Sequence, residues 1–223
     1  MQIKDRDVVV PGEILTDSME YLPSKGTYRD NNKIYAKTVG LVHVDRKVIK
    51  LIPLSGVYSP KANDVIIGEV TDQFMSGWKI ETNSPYSAML SYKDLSSHYS
   101  RRSENEHYFR IGDYAIVKVV NVTPQKLVDV SMKGPGLKKI NGGRIIHVSP
   151  HKVPRIIGKA GNMVSLIKQG TKSQIVVGQN GVIWISNDEP ENELLAVKVI
   201  NKIAHNSHVK GLTDIIKSDL GLR

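Results

Sequence analysis

The chain has 223 residues, room for two or three small domains, and 40% of them are hydrophobic, which excludes wholesale disorder. A formal net charge of +9 with a pI near 9.5 favours a polyanionic partner. Aromatics at 6% exclude a broad base-stacking surface, and the absence of cysteine excludes disulfides and thiolate metal sites. Met1 to Val10 has no signal-peptide core, and no stretch approaches the ~20 apolar residues of a membrane helix. A soluble, intracellular, cytoplasmic protein is expected. Without a basic amphipathic helix bearing an aromatic face, no membrane partner is expected.

Residues 1–58 read as a small all-β domain. Val8-Val9-Val10 runs into a Pro11-Gly12 turn, and Ser24 to Tyr28 is a loop. Ile34 to Val44 and Lys47 to Leu54 are rich in β-branched residues, and Asp45-Arg46 between them makes the pair a hairpin. No catalytic cluster appears there.

Residues 59–133 carry five strand patterns: Val65 to Val70, Gly77 to Thr82, Ser87 to Ser91, Ile111 to Val119 and Val128 to Met132. Five short strands with turn signals between them predict a small closed barrel of the OB type. A polar, basic insertion, Ser97 to Tyr108, contains Arg101-Arg102, which suits either a solvated loop or phosphate contact. The Gly77-Trp78-x-Ile80 hairpin, the Ile111-Gly112-Asp113 strand start and Val130-Ser131-Met132-Lys133 together resemble an S1 RNA-binding domain. That resemblance implies an RNA face containing Phe74, Trp78 and Tyr86. Phe74 and Trp78 suit core packing equally well. Ser91 stands where many S1 domains have His, a departure that weakens base stacking there.

Residues 134–223 open on a Gly-Pro-Gly linker, Lys133 to Lys139. A strand is predicted over Gly143 to Val148, a helix-like segment over Met163 to Gln169, strands over Ser173 to Val177 and Val182 to Ser186, and a helix from Glu191 to His205. An amphipathic segment, Leu212 to Leu220, closes the chain. Arg155-Ile156-Ile157-Gly158-Lys159-Ala160-Gly161-Asn162 sits between the first strand and the first long helix. Gly158 can take positive φ, Asn162 can cap the helix, and Lys159 adds charge at the tip. Bare amides at such a loop accept a phosphate. The β-α-α-β-β-α order around Gly-x-x-Gly resembles a type I KH domain. It implies single-stranded nucleic acid clamped across Arg155 and Gly158 to Asn162, about four nucleotides at a time. A second Gly-x-x-Gly, Gly178 to Gly181, contains Asn-Gly between two strands and reads as a hairpin turn.

Catalytic chemistry is not visible. Val153 stands where a nucleotide-triphosphate loop needs its first Gly, and Ala160 where it needs Ser or Thr. The seven His form no metal-spaced set with carboxylates, and no serine sits in a nucleophile elbow. No cofactor or metal is expected.

The fold class is therefore multidomain: mainly β, with an α+β C-terminal domain. A β domain, an S1 barrel and a KH domain in that order resemble the RNA-binding cap subunit of the archaeal exosome. Pro11-Gly12, Gly26-Thr27-Tyr28, Tyr35-Ala36, Gly40 and Tyr58-x-Pro60 resemble the motifs of that family's first domain, although Asn31-Asn32-Lys33 lacks the Gly usual in its turn. The resemblance implies a non-catalytic subunit, three copies of which sit on an RNase PH-like ring. The first domain would anchor it, and the cap would guide RNA 3′ ends into phosphorolytic 3′–5′ degradation. A free-standing S1/KH regulator, for example in translation, is the alternative.

Overall fold

A computed structural model of the chain describes residues 4–95, 108–207, 209 and 211–221. Two compact units emerge, residues 1–56 and 57–223.

The first unit is all β. Its strands are β1 (Val8–Val9), β2 (Ile14–Thr16), β3 (Leu22–Pro23), β4 (Thr27–Asp30), β5 (Lys33–Ala36), β6 (Gly40–Asp45) and β7 (Val48–Pro53). They form a four-stranded sheet, β1-β6-β7-β3, and a three-stranded sheet, β2-β5-β4. Val9, Leu15, Ile34, Ala36, Val42, Ile49 and Leu51 fill the space they enclose. The predicted β6–β7 hairpin is present, with Arg46 in the left-handed region at its turn. The single strand predicted over Ile34 to Val44 is in fact two. Exposed Lys37 to Val39 break it, because the chain there leaves one sheet and joins the other.

In the second unit, β8 (Val65–Phe74), β9 (Gly77–Glu81), β10 (Ala88–Ser91), β11 (Tyr114–Val122) and β12 (Val128–Ser131) form the predicted barrel. Strand order β12-β10-β9-β8-β11 closes through an antiparallel β11–β12 pairing. Closure gives each of the five strands a neighbour on both sides, although the start of β8 runs past β9 and the start of β11 past β12. The core holds Ile66, Val70, Trp78, Ile80, Leu90, Val117, Val119 and Val130. Lys138–Lys139, expected to lie in a linker, instead forms β13 and pairs with Ile116 and Ala115 of β11.

The KH elements follow: β14 (Arg144–His147), α1 (Val153–Ile157), α2 (Asn162–Thr171), β15 (Gln174–Val177), β16 (Val182–Ser186) and α3 (Pro190–His205), then α4 (Leu212–Asp219). The antiparallel sheet has the order β14-β16-β15. Ile156, Met163, Ile167, Ile183, Ile185, Ala196, Ile200 and Ile203 make its core, and Leu212 and Ile216 bring α4 onto it.

Barrel and KH elements are packed together. A shared apolar cluster joins Ile67, Ile116 and Ile140 to Val182 and Trp184. The β15–β16 turn enters this seam, and Asn180 there is fully buried. Its side chain bonds the backbone of Ile67 and the carbonyl of Thr82, while its own carbonyl accepts from Asn83 Nδ2. The second Gly-x-x-Gly is thus a turn, as expected, and also the joint between two domains.

Candidate nucleic-acid interface

The first Gly-x-x-Gly lies between α1 and α2. Gly158 ends α1 with φ 76°, ψ 175°, a conformation closed to side chains. A Cβ there would meet Met163 Cβ at 2.7 Å and the Met163 amide nitrogen at 2.8 Å. Gly158 is therefore demanded by close approach as well as by φ. Lys159 to Gly161 make one tight turn, with Ala160 left-handed at φ 52°. Gly161, at φ 80°, precedes α2, and a Cβ added to it would meet nothing within 4 Å. The loop is open on that side, with Lys159, Ala160 and Asn162 exposed.

Asn162 does not cap α2. Gly161 occupies the cap position, and Asn162 already has helical angles, φ −59° and ψ −41°. A side chain at the first helical residue cannot reach back over the following amides, and Asn162 faces solvent instead.

Arg155 is used by the protein. It is half-buried on α1, and its Nη2 donates to the carbonyl of Val209 at 2.9 Å. Its Nε is buried and has no partner among the described residues. The guanidinium thereby ties α1 to the segment after α3.

The S1 candidates divide. Trp78 has 0% of its surface exposed; its ring meets Tyr92 edge-on at 4.6 Å and Phe109 at 5.2 Å. This corrects its assignment to the RNA face: a ring enclosed on both sides offers nothing for a base to stack on. Phe74, at the end of β8, is 44% exposed. Tyr86, 36% exposed, sits on a loop held by Thr82 and Ser84 hydroxyls donating to its carbonyl at 2.6 and 2.9 Å. Ser91 accepts from the Lys93 amide at 3.4 Å and starts a short helical turn. Beside it an open cleft of about 370 Å³ is lined by Ser76, Met89, Asp94, Asn121 and Asp129 among others. Two carboxylates make this wall a poor phosphate acceptor. Arg101 and Arg102 lie outside the described residues.

At the root of the barrel, burial alone would raise the Asp113 carboxyl. The Arg110 amide and the Lys139 ammonium outweigh it and hold Asp113 below the usual carboxylate range. Burial, then a hydrogen bond to Glu69, pushes the Tyr114 phenol up to about 12. Both pairs are structural. Among the described residues there is no group of three metal-ligating side chains, and no helix is long and apolar enough to cross a membrane.

The family pattern described as "Exosome complex exonuclease RRP4 N-terminal region" matches residues 8–45, and a KH domain pattern matches residues 143–191. Over nearly the whole chain the similarity runs further. Exosome complex component Rrp4 of Methanothermobacter thermautotrophicus is 42% identical over 215 residues, covering 96% of this chain and 68% of the relative. The chain belongs to the Rrp4 family of exosome complex components. Rrp4 of Methanothermus fervidus is 38% identical across 96% of this chain and 95% of its own. Rrp4 of Pyrococcus furiosus is 39% identical across 98% and 84%. Among solved structures, a crystal structure assigned as an exosome complex RNA-binding protein matches with a TM-score of 0.66 and 30% identity, covering 74% of this chain and 96% of that one. The Rrp4 relationship thus spans the β unit, the barrel and the KH elements in one frame.

Two features of the interface escaped sequence reasoning. One is the burial of Asn180, whose only sequence signal was the Asn-Gly dipeptide of a turn. The other is a charge pattern legible in the sequence but not drawn from it: Val130 to Asn187 contains no Asp or Glu.

Proposed function

We propose that this chain is a non-catalytic RNA-binding cap subunit of an exosome, which recruits single-stranded RNA and guides its 3′ end into a phosphorolytic RNase PH-like ring. The observation that carries the reading is the open Gly158–Gly161 loop in a chain that matches Rrp4 relatives along almost its entire length. Residues 1–58 act as the ring anchor, 59–133 as the S1 domain and 134–223 as the KH domain. Gly158, Lys159, Ala160, Gly161 and Asn162 contact the RNA backbone, and Phe74 and Tyr86 are the barrel's remaining stacking surfaces. Three copies on one ring hold a strand near the pore by effective concentration, several weak sites acting as one strong one. The complex works in the cytoplasm.

The test is reconstitution. Alone, the chain should bind RNA and leave its length unchanged, with or without phosphate and magnesium. Added to a ring of RNase PH-like subunits, it should co-elute and speed degradation of RNAs with unstructured 3′ tails. A fragment beginning at Val57, which keeps Tyr58 in the barrel core, should keep RNA binding and lose the ring. Failure of the full chain to associate with such a ring would favour a free-standing RNA-binding regulator.

A further inference from the structure

Most of the chain's excess charge sits in one place. Residues 57–133 carry nine Lys and Arg against nine Asp and Glu, so the barrel is formally neutral. Residues 134–223 carry 13 against six, and all six acids fall at or after Asp188. From Val130 to Asn187 there are nine Lys and Arg and no acid at all.

The structure accounts for six of those nine cations. Lys133 pairs with Asp94, Lys139 with Asp113 and Arg144 with Glu193. Lys138 lies 4.9 Å from the Trp184 ring centre, Lys152 donates to Ser207 Oγ, and Arg155 holds the Val209 carbonyl. The other three, Lys159, Lys168 and Lys172, are exposed, and their ammonium groups have no polar or ionic partner among the described residues. All three belong to one continuous feature. Lys159 is the loop tip, Lys168 lies in the last turn of α2, and Lys172 ends that helix. Met163, Ile167 and Thr171 turn inward on α2, while Asn162, Ser165, Lys168 and Gln169 turn outward. From Asn162 to Lys172 the helix rises about 15 Å. Its outer edge is a run of amides, a hydroxyl and ammonium groups, with no carboxylate to repel a polyanion.

We infer that the RNA backbone, beyond crossing the Gly158–Gly161 loop, continues along the outer edge of α2 past Lys168 and Lys172. This track supplies the salt-dependent part of RNA affinity; the barrel, neutral and with its tryptophan buried, does not. The inference rests on the RNA-binding reading above. A nucleic-acid backbone is favoured over an anionic membrane because the edge offers no apolar residue to insert.

The experiment measures the affinity of the full chain for a single-stranded RNA across a salt series. K168Q with K172Q should lower the slope of log K against log salt by about 1.4, two phosphate contacts at about 0.7 each. K93Q with K126Q, two exposed barrel lysines, should leave the slope unchanged. An unaltered slope in the α2 pair, or an equal loss in the barrel pair, overturns the inference while the RNA-binding reading stands. No RNA binding by the parent chain overturns both. Vesicles of phosphatidylserine and phosphatidylcholine are the second arm. If the parent binds them more tightly than RNA, and the α2 pair abolishes that binding alone, the edge is a membrane contact and the inference fails.

Discussion

Asn180 and Ile67, 113 residues apart, grip each other through both faces of an amide: Asn180 Nδ2 donates to the Ile67 carbonyl at 2.7 Å, and the Ile67 amide donates to Asn180 Oδ1 at 3.4 Å. One buried side chain thereby substitutes for a missing neighbour of β8 and ties the KH turn to the barrel. Asn180→Ala would strand the Ile67 and Thr82 carbonyls in the seam, at about 1–3 kcal/mol for each unsatisfied group. A loss of about 3 kcal/mol corresponds to a drop of roughly 6–12 °C in Tm for a chain of this length. Limited proteolysis should open the segment between Lys133 and Lys138 in the variant. A melting point within about 2 °C of the parent would show that apolar packing alone carries the seam.

The two glycines of the KH loop should respond differently. Gly158→Asp forces a side chain into Met163 and is expected to unfold the loop and the start of α2. Gly161→Asp meets open space and bears only the left-handed strain, about 1 kcal/mol, which Asp tolerates better than most residues. Its negative charge then sits where a phosphate would lie. RNA affinity should fall about tenfold or more, the loss of one charge-assisted hydrogen bond. Circular dichroism of Gly161→Asp should match the parent. Unchanged RNA binding in that variant would mean that the loop is scaffold.

Much of the fold was legible because its signals are local. The β-α-α-β-β-α order and the five barrel strands follow from apolar periodicity and turn residues within each element. What was not legible depends on partners far along the chain. Nothing near Asn180 says that β8 will receive its side chain. Nothing near Lys138 says that β11 has a free edge to offer. Trp78 could face either way, since alternation assigns it to a face of β9 without saying which face the barrel closes around. The Asn162 cap failed for a local reason: Gly161 already takes the left-handed angle, so the helix begins one residue earlier than a capping Asn requires.

Acid should loosen the Asp113–Lys139 pair in a definite direction. The folded carboxyl titrates below its unfolded value of 3.8. Its contribution is therefore complete above that value and disappears as pH falls through the lower folded value. Asp113→Asn should melt below the parent at pH 7, and the two curves should converge once pH has fallen below the folded value. A difference of constant size across that range would mean that the carboxylate's charge is not what holds β13 against the barrel.

Phe74 and Trp78 offer the sharpest separation of stacking from packing. They lie four residues apart, on opposite sides of the β8–β9 turn, and the barrel has taken one ring inward and left the other out. Trp78→Ala empties the centre of the core beside Tyr92 and Phe109 and should cost about 3–5 kcal/mol of stability. Whatever RNA affinity it loses should follow the fraction unfolded. Phe74→Ala removes a ring that is 44% exposed, so its melting point should stay close to the parent. If a base stacks there, RNA affinity should fall by about 1–3 kcal/mol, and the salt slope should not change, because no phosphate contact is lost. A fall in affinity with a changed slope would mean that the turn positions the backbone instead. No fall at all would leave Tyr86 as the barrel's one candidate for stacking among the residues named above. RNA would then be held chiefly by the KH loop and the lysines of α2.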